Sequence, residues 1–182
     1  MHRSTLICAG LAALLLGGCA APLRALTGKE PKRPIHIELE AVGGSRVSGA
    51  LDVTAVPGGV RIQGLITGLI PGSLHGVHIH ERGDCTAPNS GSAGGHFNPR
   101  GRDHGDPAAL VHHAGDIANQ FADAQGNIHM DVTETGLSLD SGLSDDVLGR
   151  SLMVLAGQDD YTTQPDGGGG AAIACGVILK GK

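Results

Sequence analysis

Tryptophan is absent from the 182-residue chain, and two phenylalanines and one tyrosine are its only aromatic residues. A core must therefore come mainly from Val, Ile, Leu and Ala. No window carries the apolar spacing of a long amphipathic helix. The one long apolar run, LICAGLAALLLGG near the start, is too short and too poorly flanked for a stable transmembrane helix. Basic residues are few: 13 Lys and Arg stand against 18 Asp and Glu, for a formal charge of −5. That balance argues against binding nucleic acid or anionic lipid by bulk charge, and net charge alone does not draw in a small anion. No histidine occurs after His129.

Strands and turns make up most of what remains. In IHIELEA, Ile35, Ile37, Leu39 and Ala41 share one face while His36, Glu38 and Glu40 share the other, as in a half-buried strand. SGALDVTAV, a PGG turn and VRIQGLITGL follow. Short strands punctuated by Gly and Pro predict an all-β sandwich or barrel, and 31 glycines suit its turns and bulges. Two segments break the rhythm: residues 83–116, rich in Gly, Asp and His, and residues 157–171, GQDDYTTQPDGGGGA. Long ordered loops are uncommon and usually functional, and they need a staple or a metal to hold them.

The length suits one domain, residues 34–182, behind a leader. Residues 1–18 read as a secretion signal, with Arg3 before the apolar run. Its loss takes the formal charge from −5 to −6. The LLGGC ending resembles a bacterial lipobox, which implies lipidation of Cys19; a plain cleaved signal is the alternative. Ala20 follows in place of the inner-membrane retention aspartate, so the resemblance implies the periplasmic side of the outer membrane, reached through the tether at 19–33. Cys8 leaves with the leader and Cys19 takes the lipid. Cys85 and Cys175 remain as an even pair in an exported chain, so a disulfide is expected. It closes a loop of about 90 residues, worth roughly 4.5 kcal/mol in the chain-entropy model.

The stretch GVHIH at 76–80 sets two histidines one residue apart. On a strand, His78 and His80 point to one face, roughly 6.6 Å apart at about 3.3 Å per residue, close enough to share one metal ion. The first long loop adds His96, His104, His112, His113 and Asp116. Histidines with a carboxylate in an unstructured loop favour tetrahedral zinc; a solvated His-rich loop is the competing reading.

GVHIHERGDC, AGGHFNP, the HAGD at 113–116, LGRSLMV and GGGGAAIACGVI follow one another in order and together resemble a bacterial copper-zinc superoxide dismutase. The resemblance covers about residues 35–180 and implies an eight-stranded Greek-key β-barrel, one of the β-sandwich architectures. It implies a zinc site of His96, His104, His113 and Asp116, with His96 also bridging to copper. His112 has no family role, although a one-residue shift would exchange it with His113. Cys85 and Cys175 match the family disulfide. Asp159 matches an aspartate that hydrogen-bonds a copper ligand and a zinc ligand, here His78 and His104, and His75 matches a structural histidine.

The copper site departs from the family. His78, His80 and His96 match three of four copper ligands, but Leu155 stands where the fourth histidine belongs. Ala172 stands where the family has the arginine that guides superoxide. Dismutation to O2 and H2O2 needs a metal that cycles between oxidation states, which zinc does not do. The missing arginine removes roughly 3 kcal/mol of attraction, for unit charges about 6 Å apart at an effective dielectric of about 20, before salt screening. The expectation is a metal-binding lipoprotein with a complete zinc site and impaired or lost dismutase activity. The alternatives are a dismutase working with copper on three histidines, alone or completed by Asp160 or Tyr161, and a copper- or zinc-buffering or structural protein. Relatives of this kind include monomers and dimers, so a homodimer stays open.

Overall fold

A computed structural model describes residues 33–181. The expected leader, Cys19 and all of the tether except Arg33 lie outside the described residues. Eight strands run β1 (Ile35–Ala41), β2 (Ser48–Val56), β3 (Gly59–Thr67), β4 (Leu74–His80), β5 (Asp116–Phe121), β6 (Ile128–Thr135), β7 (Ser151–Leu155) and β8 (Ala172–Val177). A 3-10 turn, Pro88–Ala93, is the only helical segment among the described residues.

The strands hydrogen-bond in the order β5-β4-β7-β8-β1-β2-β3-β6, every pair antiparallel. The two end strands, β5 and β6, approach each other, so the sheet curls into a nearly closed barrel. β1, β2 and β3 form a meander. The chain then crosses to β4, on the far side, and returns so that β6 joins β3 and β7 joins β4. These crossings are Greek-key connections.

Alternation builds the core. On β1, Ile35, Ile37 and Leu39 are buried while His36, Glu38 and Glu40 are exposed. Ala41, expected on the inner face, is exposed instead; it lies at the end of β1, past the β2 pairing and opposite Ala174 of β8. Leu51, Val53, Val60, Ile62, Ile66, Ile117, Ile128, Leu152 and Val154 fill the barrel. Each such side chain contributes about 1.5–3 kcal/mol by leaving water. Two core residues fall outside the aliphatic expectation. Met130 comes from β6, and Phe97 reaches in from the long loop, with the Arg150 guanidinium 4.3 Å from its ring centroid.

β4 and β7 decide where the chemistry sits. Val77 pairs with Val154 and Ile79 with Leu152, and all four face the core. The intervening His78 and His80 pair with Met153 and Ser151, so these side chains face the opposite side of the sheet. That outer face is covered by the two long loops. The Cys85–Cys175 disulfide forms as expected, spanning 90 residues and tying the first loop to β8.

Candidate metal centre

The first long loop is laced to β4 through its backbone. Ile79 donates to the Gly115 carbonyl (2.9 Å), Phe97 donates to the Ile79 carbonyl (2.7 Å) and Gly115 donates to Phe97 (2.9 Å). A Cβ on Gly115 would lie 2.2 Å from the Ile79 oxygen, so the approach needs glycine. An isolated bridge pairs His80 with His96. These contacts bring His96 and Asp116 beside the β4 histidines.

His96, His104, His113 and Asp116 offer ligand atoms that all lie within 4.8 Å of one another, and so do His78, His80 and His96. His96 belongs to both groups. The one-residue ambiguity at 112–113 resolves to His113; His112 instead donates from Nδ1 to the His113 carbonyl (2.7 Å). Around Asp116 Oδ1, the Nδ1 atoms of His96, His104 and His113 stand at 2.8, 3.1 and 3.5 Å. Ligands about 2.0–2.1 Å from a tetrahedral zinc are separated by roughly 3.3 Å, so these spacings suit a shared ion. Asp116 Oδ2 is occupied elsewhere, accepting from the backbone of His113 (2.7 Å) and Gly105 (3.2 Å).

Hydrogen bonds fix which nitrogen of each ring is left over. His78 Nε2 donates to Asp159 Oδ2 (2.7 Å), and His104 Nε2 donates to Asp159 Oδ1 (3.0 Å). His80 Nδ1 donates to the Gly94 carbonyl (2.8 Å). The atoms opposite, His78 Nδ1, His80 Nε2 and His104 Nδ1, are buried without a hydrogen-bond partner, and so is His113 Nδ1. Four orphaned imidazole nitrogens converging in two groups are costly unless an ion takes their lone pairs. His104 Nδ1 is close to Asp116 yet misaligned for a hydrogen bond, as expected of two ligands aimed at a common third point.

Asp159 holds both groups in register, and Asn119 holds Asp159. The Asn119 amide donates to the Asp159 carbonyl and accepts from its N–H, each at 2.8 Å. Gln164 does the same for the His104 backbone, accepting at 2.9 Å and donating at 2.9 Å. Gly167 packs against this knot at φ +71°; a Cβ there would lie 2.0 Å from Asp159 Oδ1. Asn119, Gln164 and Gly167 carry no spacing signal, because their roles depend on loops meeting across the fold.

Local electrostatics follow from burial and charge. Burial pushes His80 down to about 4, and burial also lowers His96 and His113. Neutral imidazole is the form a metal needs. Burial opposes protonation of His104 too, but its Asp159 hydrogen bond and the Asp116 charge outweigh it and raise the pKa. For Asp116 burial favours the neutral acid, yet hydrogen bonds from His96 and the His113 backbone hold it well below the usual carboxylate range.

The three-histidine group, His78, His80 and His96, opens through His80 and His96 onto a cavity of about 300 Å³ whose lining also includes Met153, Leu155, Asp166 and Ala172. Leu155 and Ala172 are opposed across β7 and β8 and are both buried. Neither Asp160 nor Tyr161 completes the group. The Asp160 carboxylate is taken by Thr162 and Thr163, and the Tyr161 hydroxyl accepts from Asn119. Asp166, which sequence reasoning passed over, is the acidic side chain on this cavity. His75 belongs to neither group: its ring nitrogens meet Ser73 Oγ (2.6 Å) and the Leu155 carbonyl (2.7 Å).

A disulfide-pinned all-β barrel carrying two joined groups of side chains that could hold metal, on one outer face, defines the class of protein. Residues 47–178 match the sequence model of copper/zinc superoxide dismutase. The chain belongs to the copper/zinc superoxide dismutase family. It is 38% identical over 146 residues to a copper-zinc superoxide dismutase of Aquifex aeolicus, covering 79% of this chain and 85% of the relative. It is 37% identical over 124 residues to a superoxide dismutase-like protein of Bacillus subtilis, covering 66% of this chain and 63% of the relative. The crystal structure of a superoxide dismutase-like protein from Bacillus subtilis matches with a TM-score of 0.74 at 34% identity, over 81% of this chain and 100% of that one.

Proposed function

We propose that this protein is a zinc-stabilised metal-binding member of the family whose copper-type site is no longer fit for fast superoxide dismutation. The carrying observation is the wall of the 300 Å³ cavity: Leu155 and Ala172 stand where the family resemblance calls for a fourth imidazole and a cation, and Asp166 adds a negative charge. His96, His104, His113 and Asp116 fit zinc by donor type, spacing and orphaned lone pairs. His78, His80 and His96 fit copper only as a three-imidazole group.

Bound copper would supply one-electron redox chemistry; zinc supplies none. The chain's own residues then set the outcome. Asp159 orients His78 and His104 and fixes their tautomers. The Gly94 carbonyl does so for His80. Leu155 excludes a donor and water from one side of the group. Asp166 disfavours an approaching anion, where an arginine would favour it.

The superoxide decay rate per bound copper, on protein loaded with zinc and then copper, tests the reading. Decay no faster than that of the zinc-only protein is expected. Fast decay scaling with copper would overturn it and establish a three-histidine dismutase, the reading favoured by the cavity that His80 and His96 line. The proposal includes a lipid anchor on Cys19 at the periplasmic face of the outer membrane. Mass spectrometry of the mature N-terminus in fractionated membranes tests that part; an unmodified cysteine or a soluble product would remove it.

A further inference from the structure

The cavity beside His80 and His96 has one side-chain donor on its apolar wall, and it is sulfur. Met153 lies directly opposite His78 in the β4–β7 register. Opposed antiparallel residues point to the same face with Cβ atoms about 4.5–5.5 Å apart. Met153 is 2% exposed yet does not belong to the barrel core. It packs in a separate cluster with Leu155, Ala172, Ala93 and Cys175, under the loops. The cavity it lines also receives His80 and His96. His78 and His80 offer ligand atoms within 4.8 Å of each other, and His78 Nδ1 and His80 Nε2 are two of the four buried nitrogens without partners.

We infer that Met153 is a further ligand, and that His78, His80 and the Met153 thioether form a site for Cu(I). This rests on the reading above, that the group binds metal without fast dismutation. Thioether is a soft donor that selects Cu(I), whereas imidazoles, which suit several first-row metals, do not by themselves discriminate in its favour. Leu155 and Ala172 leave the β7–β8 wall without a hard donor for Cu(II). His96 is already engaged with Asp116 through Nδ1 and is free to stay with the zinc-type group. Asp166 on the same cavity gives it the charge sign that admits a cation. A site that stabilises the reduced ion holds copper without cycling it.

The test uses the full chain labelled with selenomethionine, loaded with zinc and then with Cu(I) under reducing conditions. The chain has three methionines, Met1, Met130 and Met153. X-ray absorption at the selenium edge is expected to show a copper neighbour, absent in Met153→Leu and retained in Met130→Leu. Chelator competition is expected to give an affinity for Cu(I) about tenfold or more lower in Met153→Leu, with Cu(II) affinity and zinc content unchanged. Copper bound with no selenium neighbour, equal Cu(I) affinity in Met153→Leu, or no Cu(I) binding each overturns the inference. The superoxide assay is independent. Fast decay with a selenium–copper neighbour removes the proposed function and leaves Met153 as a ligand; slow decay without that neighbour does the reverse.

Discussion

Leu155 ends β7 with its carbonyl held by His75 and its side chain against the cavity, so the backbone there is already fixed where a ligand would be needed. Leu155→His together with Ala172→Arg is therefore expected to raise superoxide decay per bound copper by about tenfold or more, since a restored ligand and a restored guiding charge act on the same step. Equal rates in a folded, copper-loaded double variant would show that the defect lies elsewhere. Asp159 makes the opposite case, a residue whose loss harms both groups. Asp159→Asn replaces one acceptor oxygen by a donor facing His78 or His104, and zinc affinity is expected to fall about 10–100-fold. Competition with a zinc chelator measures it; an unchanged affinity would make Asp159 a packing residue only.

At the scale of elements, loops without a core of their own are held by carboxylates that gather backbone N–H groups. Asp146, 8% exposed, accepts from Asp140, Ser141, Gly142 and Leu148 at 2.7–2.9 Å and so closes the loop before β7. Burial alone would raise its pKa, but the four N–H donors outweigh it and lower the value. A depressed folded pKa adds stability that is complete above the unfolded carboxylate value and lost as pH falls through the folded one. Asp146→Asn is expected to cost about 2 kcal/mol at pH 7, and the gap to wild type should close toward acid. Denaturant unfolding from pH 7 downward checks this; a gap independent of pH would mean the charge is irrelevant.

On the scale of the whole molecule, the zinc-type group joins the first long loop to the start of β5, and the disulfide joins that loop to β8. Zinc at about 1,000 times its Kd would stabilise the folded chain by about 4 kcal/mol, or about 10 °C in Tm for a chain of this size. Chelation followed by calorimetry, with the disulfide intact, should show a fall of that order. No shift would mean that the four ligands hold the loop without an ion.

Periodicity alone made the strands legible, because a two-residue repeat of apolar side chains has few other uses than a sheet with one buried face. The HxH pair was equally legible, since strand geometry sends both rings to one side. The rest of the ligand set and the two substitutions, Leu155 and Ala172, became readable through ordered motifs and not through spacing. Tertiary structure removed the one-residue alternative at His112, and it alone decided that Asp160 and Tyr161 turn away and that Asn119, Gln164 and Gly167 brace the site. It alone set Met153 opposite His78 and Asp166 on the cavity. These choices depend on strand register and on two distant loops meeting over one face, and contacts between segments tens of residues apart leave no local pattern in the chain.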